Sequence, residues 1–210
     1  MNYRAAAAEF IGTFMLAFLV YLSLSFQLPV PTPVIAGLVL GTFVYTIGNI
    51  SGAHLNPAVT LGLLSVGKVK VNDALGYLVA QCLAGFAASQ AGMYITGGGT
   101  GLFGADSTFV VISEALGAFI LIFGISGVVH GRVPKDAAGL TIGASLTLGI
   151  LAASGGSYGV LNPAVALGVG ALSFSYLLAP IGGALVGAWV FQGLLPKEKK
   201  VTAKAGGKKK

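Results

Sequence analysis

A twelve-residue stretch occurs twice in this chain. It reads Ser-Gly-Ala-His-Leu-Asn-Pro-Ala-Val-Thr-Leu-Gly at 51–62 and Ser-Tyr-Gly-Val-Leu-Asn-Pro-Ala-Val-Ala-Leu-Gly at 157–168, with matches at a constant offset of 106. Each copy holds Asn-Pro-Ala, at Asn56-Pro57-Ala58 and Asn162-Pro163-Ala164. Asparagine caps a helix well, and proline suits the first helical position, where its missing N–H is no loss. Each copy therefore marks an irregular approach followed by a helix start. Two further pairs extend the duplication. Ala8-Glu9-Phe-Ile-Gly12-Thr-Phe14 resembles Ser113-Glu114-Ala-Leu-Gly117-Ala-Phe119 at an offset of 105, and Tyr77–Gln81 resembles Tyr176–Pro180 at 99.

The duplicated segments lie among long apolar runs. Only 9% of the 210 residues are charged, against about a quarter in a soluble domain. Six stretches approach the roughly twenty apolar residues of a bilayer span: about Ala5–Phe26, Pro33–Gly48, Asp73–Tyr94, Phe109–Val129, Ala137–Ala153 and Phe174–Gly193. The first follows Arg4 but has no clear cleavage site, so it reads as a retained span rather than a leader. Among the 33 glycines, Gly76, Gly85 and Gly92 in the third span and Gly182, Gly183 and Gly187 in the sixth suit close helix packing. Gly97-Gly98-Gly99 reads as a loop. The single Cys82 excludes an internal disulfide and reads as a buried packing residue.

All twelve basic residues fall at the N-terminus, in the 2–3 and 4–5 connections, and in the C-terminal tail. Six spans put these four segments on one side, which the positive-inside rule makes cytoplasmic. The net charge of +6 thus reports topology, and no nucleic-acid partner is expected. Membrane lipid is the expected surround, in a multi-pass protein with both termini cytoplasmic, placed in the cell membrane. One channel domain is expected over 1–196, with repeats at about 4–95 and 108–193. Residues 197–210 form a basic tail, expected to be disordered and solvated.

Three spans per repeat is an odd number, so the second copy enters the membrane from the opposite face. The motif segments Asn56–Ser65 and Asn162–Ala171 are too short to cross: ten residues at 1.5 Å each cover about 15 Å of a core about 30 Å thick. Two re-entrant half-helices then meet near the middle at their asparagine ends. The irregular backbone leading to each is tolerated only against protein or a water-filled cavity. Each N-terminus presents unpaired N–H groups and about half a positive charge, and each asparagine adds amide donors. Facing positive ends disfavour cations, and donors from both sides orient a passing water so that a proton wire is interrupted. The fold class is an all-α membrane protein with six transmembrane helices, two half-helices and an inverted internal repeat.

These motifs resemble the signature loops of the aquaporin (major intrinsic protein) family. The glutamate-bearing starts of spans one and four, Ala80-Gln81, and Ala179-Pro180-Ile-Gly-Gly are also similar to family patterns, over about residues 4–193. The resemblance implies one pore per subunit, a homotetramer, and passive conduction of water or small uncharged solutes. It also implies that Glu9 and Glu114 hold the backbone of the re-entrant loops. Their alternative is a carboxylate near a span end that reaches the interface. His54 is placed by the resemblance in the cytoplasmic vestibule, or equally serves as a hydrogen-bonded loop anchor, and His130 reads as interfacial. No nucleophile–base pair or metal cluster is visible, so neither an enzyme nor a cofactor is expected.

The chain also departs from the family. Asn-Pro-Ala-Arg, the usual second motif, here reads Asn162-Pro163-Ala164-Val165. By family register the outer filter is Ala36, Ile150, Gly159 and Val165, without charge or aromatic ring. The expectation is a broadened, apolar mouth passing water and glycerol- or urea-like solutes. An ion-conducting or a non-conducting structural member of the same fold is the alternative.

Overall fold

The structure, a computed structural model, describes residues 2–196; the expected basic tail at 197–210 lies outside them. Eight α-helices are present among the described residues: α1 Tyr3–Phe26, α2 Thr32–Ser51, α3 Pro57–Ser65, α4 Val71–Thr96, α5 Thr108–Val129, α6 Ala138–Ala153, α7 Pro163–Val169 and α8 Phe174–Leu194. A 3-10 turn, Lys135–Ala137, leads into α6. The six long helices, counting that turn with α6, are long and apolar enough to span a bilayer. Every span read from the sequence is a helix, with ends moved by at most three residues.

Packing follows a two-fold pattern that exchanges α1–α4 for α5–α8. Helix α1 packs on α2 and α4 as α5 packs on α6 and α8, while α3 lies against α8 and α7 against α4. Helices α2 and α6 pack on each other through glycine: Gly37 and Gly41 face the Gly143 and Gly139 backbones closely enough that a Cβ would clash. Such contacts replace the hydrophobic drive that lipid cannot supply between helices. Gly85 and Gly183 make similar approaches, to the carbonyls of Ala164 and Ala115. Gly182 does not; it faces open space, contrary to the packing role expected of it. Cys82 is likewise exposed on α4. One position beyond buried Gln81, it is carried by the helical turn onto the exposed outer surface with Val79, Leu83 and Phe86.

Each end of the bundle is tied down by local polar contacts. Asn2 caps α1, and its backbone N–H donates to Asp73 at the start of α4. At the other end the Ser175 N–H donates to Asp106 Oδ1 at 2.8 Å. That bond, with help from the Ser175 and Ser173 hydroxyls, holds the Asp106 carboxyl below the usual aspartate range.

Candidate functional site

The half-helices start where the sequence places them. Asn56 and Asn162 have extended backbones, and each turns its Oδ1 back on its own helix. Asn56 Oδ1 accepts from the Ala58 N–H at 2.8 Å; Asn162 Oδ1 accepts from Ala164 at 3.0 Å and Val165 at 3.3 Å. Pro57 and Pro163 occupy the first helical position, and Ala58 and Ala164 are fully buried. Helix α3 has nine residues and α7 only seven, about 14 and 10 Å. The second is shorter than expected because Gly170, at φ +83°, ends it in a left-handed cap.

The amide nitrogens reach across the repeat. Asn56 Nδ2 donates to the Leu161 carbonyl at 2.9 Å, and Asn162 Nδ2 donates to the Leu55 carbonyl at 2.8 Å. Each NH₂ carries two hydrogens, so one is spent on this exchange and one is left without a partner among the described residues. Both asparagines are nearly inaccessible from the bulk, at 3% and 2% exposure.

The approach to each asparagine alternates its backbone hand. Ala53 and Leu55 have φ +49°, and their equivalents Gly159 and Leu161 have +65° and +55°. A non-glycine residue held there costs on the order of 1 kcal/mol or more, so the surroundings must fix it. They do so in two ways. The Leu55 side chain fills the notch left by Gly12, and Leu161 fills the notch at Gly117; a Cβ on either glycine would lie 2.4 Å from the leucine.

The second support is a buried carboxylate. Glu9 accepts from the Ser51 hydroxyl (2.6 Å), the His54 N–H (2.9 Å), the Leu55 N–H (2.7 Å) and the Gln81 amide (2.8 Å). Glu114 accepts from the Ser157 hydroxyl (2.7 Å) and the Val160 and Leu161 N–H groups (2.9 and 2.6 Å). Both glutamates are fully buried, and neither reaches an interface. Three donors are repeat equivalents. The fourth, Gln81, has Pro180 at its counterpart in α8, which cannot donate.

That difference makes the repeats chemically unequal around the asparagines. In the first, His54 Nδ1 lies 3.1 Å from the Thr60 hydroxyl, which also meets Gln81, and the imidazole stands edge-on to Tyr77. In the second, the corresponding residues are Val160, Ala166 and Pro180. His54 lines a cavity of about 790 Å³ that opens among Lys68, Lys70 and Lys135. It is thus both loop anchor and cavity wall. The other histidine, His130, caps the end of α5, its Nδ1 beside the Ser126 carbonyl and its ring stacked on Phe191.

On the opposite side of the asparagine pair lies a smaller cavity, about 160 Å³. Ala36, Ile150, Gly159 and Val165 all line it, together with Asn162. Gly159 abuts Ile150, whose carbonyl would stand 2.8 Å from an added Cβ. Ala36, Ile150 and Val165 are only 2%, 8% and 5% exposed, so the wall is apolar and closely drawn. Tyr158, which is not among the residues expected there, lines it too. Its only prior signal was its place beside Gly159. Among the described residues, no three metal-ligating side chains gather at one point.

Two half-helices capped into a shared centre, with a cavity on either side, define a membrane channel built from an inverted repeat. A family model described as major intrinsic protein matches residues 1–191, and the chain belongs to that family; it is a channel and not an enzyme. Aquaporin NIP1-1 of Zea mays is 34% identical over 204 residues, covering 88% of this chain and 72% of its own. Nodulin-26 of Glycine max is 34% identical, covering 88% and 75%. Aquaporin AqpM of Methanothermobacter thermautotrophicus is 33% identical, covering 90% and 96%. The X-ray structure of the aquaglyceroporin from Plasmodium falciparum shares the fold, with a TM-score of 0.76 over 92% of this chain and 97% of its own at 20% identity.

Proposed function

We propose that this chain conducts water and small uncharged solutes of the glycerol or urea kind passively, through an arginine-free outer filter of Ala36, Ile150, Gly159 and Val165. The observation that carries the proposal is that these four residues, distant in sequence, line one cavity beside Asn162. A solute leaving that cavity meets the remaining amide N–H of each asparagine and the positive ends of two half-helices. Their N–H groups replace water around an oxygen, whereas a cation finds like charge and loses its hydration. The names of the relatives, several of them aquaporins, support the water part of this reading.

Swelling of proteoliposomes under water, glycerol and urea gradients tests this directly. Flux of water and at least one solute above that of empty vesicles is expected. Tightness to all three defeats the proposal and favours a structural role. A proton dye and bilayer currents recorded in parallel decide the ion-conducting alternative, since without a guanidinium the cation barrier rests on the half-helix ends alone. Val165→Arg places five donors and a fixed charge in a 160 Å³ space. It is expected to cut glycerol and urea flux about tenfold or more, a barrier increase of roughly 1.4 kcal/mol; unchanged solute flux removes Val165 from the filter.

We further infer that the protein is a homotetramer in the cell membrane, with both termini cytoplasmic. The lysine-bearing connections at 66–70 and 130–137 border one cavity, which fits the charge rule. Large apolar side chains such as Leu38, Leu83 and Trp189 are exposed around the single subunit, as contact with lipid or a neighbouring subunit requires. The unit over 1–196 is one channel domain, its two repeats joined across the asparagines.

A further inference from the structure

The outer cavity has no charge, but it has hydroxyls. Thr32, Ser154 and Tyr158 all line it. The Thr32 hydroxyl is paired with Ser23 at 3.0 Å, and the Ser154 hydroxyl donates to the Leu151 carbonyl at 2.7 Å. The Tyr158 hydroxyl has no partner among the described residues. It is the one lining hydroxyl on this side of Asn162 that makes no hydrogen bond to the described residues, so its donor and both lone pairs are open.

Tyr158 is also held in place. Its ring stacks on Tyr176, with centroids 5.7 Å apart and planes 12° from parallel. Its backbone N–H donates to the Tyr176 hydroxyl at 3.1 Å. Tyr176 is itself 1% exposed, while Tyr158 is 47% exposed. The Tyr176 hydroxyl is thus engaged by the scaffold, and Tyr158 is the exposed member of the pair. A polyol entering an apolar constriction sheds water from its hydroxyls, and each unreplaced hydrogen bond raises the barrier. A fixed phenol can replace one donor and one acceptor at once.

We propose that Tyr158 is a specificity-determining residue of the outer mouth, supplying the hydrogen-bonding group that the four filter positions lack and favouring hydroxylated solutes over water. The assignment rests on the outer-filter reading above. It differs from an arginine mouth in kind: a phenol is neutral and accepts as well as donates, so it adds selection among neutral solutes without adding a cation barrier. The ring further restricts width, because its stack on Tyr176 fixes its plane.

The test is stopped-flow swelling of proteoliposomes holding the full chain or Tyr158→Phe, with glycerol and water fluxes measured on the same vesicles. Phenylalanine keeps the ring, the stack and the backbone bond to Tyr176, so folding is not at stake. The glycerol-to-water flux ratio is expected to fall about three- to tenfold, the factor one net hydrogen bond carries. Tyr158→Ala, which removes the ring as well, is expected to lose the same discrimination and to admit a five-carbon polyol that the parent excludes. An unchanged ratio in Tyr158→Phe, or a parent that passes water but no glycerol, overturns the proposal. Val165→Arg on the same vesicles separates the two levels. If it lowers solute flux while Tyr158→Phe does nothing, the filter stands and the tyrosine role fails. If neither substitution changes any flux, the filter itself is misplaced.

Discussion

Glu9→Leu is expected to abolish folding of the channel rather than to adjust it. Four donors lose their acceptor at once: the Ser51 hydroxyl, the His54 and Leu55 N–H groups, and the Gln81 amide. Water cannot enter to replace it, because the glutamate and Leu55 are fully buried. Each buried donor without a partner costs about 1–3 kcal/mol, so the sum rivals the roughly 5–15 kcal/mol that holds a domain together. Leu55 then keeps only its seat in the Gly12 notch to hold its left-handed conformation. Glu114→Leu removes three acceptor bonds instead of four and is expected to be the milder change. Yield of monodisperse protein after detergent extraction, and the midpoint of helix loss on heating, report both effects. Parent-like yield and melting in Glu9→Leu would show that the loop is held by packing alone.

Gly85→Val is the second large effect. A Cβ on Gly85 would stand 2.2 Å from the Ala164 carbonyl oxygen and 3.0 Å from its carbon. These are backbone atoms of the second Asn-Pro-Ala, so no side chain can swing aside. Helix α4 and half-helix α7 must separate, and overpacking of this kind costs typically 1–3 kcal/mol or more. Because Asn162 caps α7, the shift reaches the centre of the pore. Solute and water flux are expected to be lost while most helix content survives. Gly182→Val, at a position with nothing within 4 Å, is the matched control and is expected to leave flux unchanged. Normal swelling rates in Gly85→Val would mean that α4 and α7 are free to part without displacing the asparagine.

What the sequence makes legible here is set by periodicity and duplication. Six helices follow from apolar length, and the two half-helices from Asn-Pro at a constant offset, because both signals are local or repeat-borne. The glutamates were traceable as repeat equivalents, since a carboxylate in an apolar span demands partners wherever it lies. Contacts between distant residues were not legible. Nothing local indicates that Leu55 seats in the Gly12 notch, or that each asparagine donates to the carbonyl before the other. Orientation about a helix axis was equally hidden for Cys82 and Gly182: helices in lipid are apolar all round, so hydrophobicity does not mark the inner face. Tyr158 carries no local signal, because its significance lies in which neighbouring hydroxyls are already occupied.

The exchange between the asparagines also bears on time. Asn56 and the carbonyl it needs, on Leu161, are separated by 105 residues. At about 5–20 residues per second of synthesis, the first half-helix waits roughly 5 to 20 s for its partner to be made. Its other supports, Glu9, Ser51, Thr60 and Gln81, all lie within the first repeat, so the loop is able to seat before the second repeat arrives. The second loop needs no such patience: when it emerges, the first asparagine and the Leu55 carbonyl are already in position to receive it.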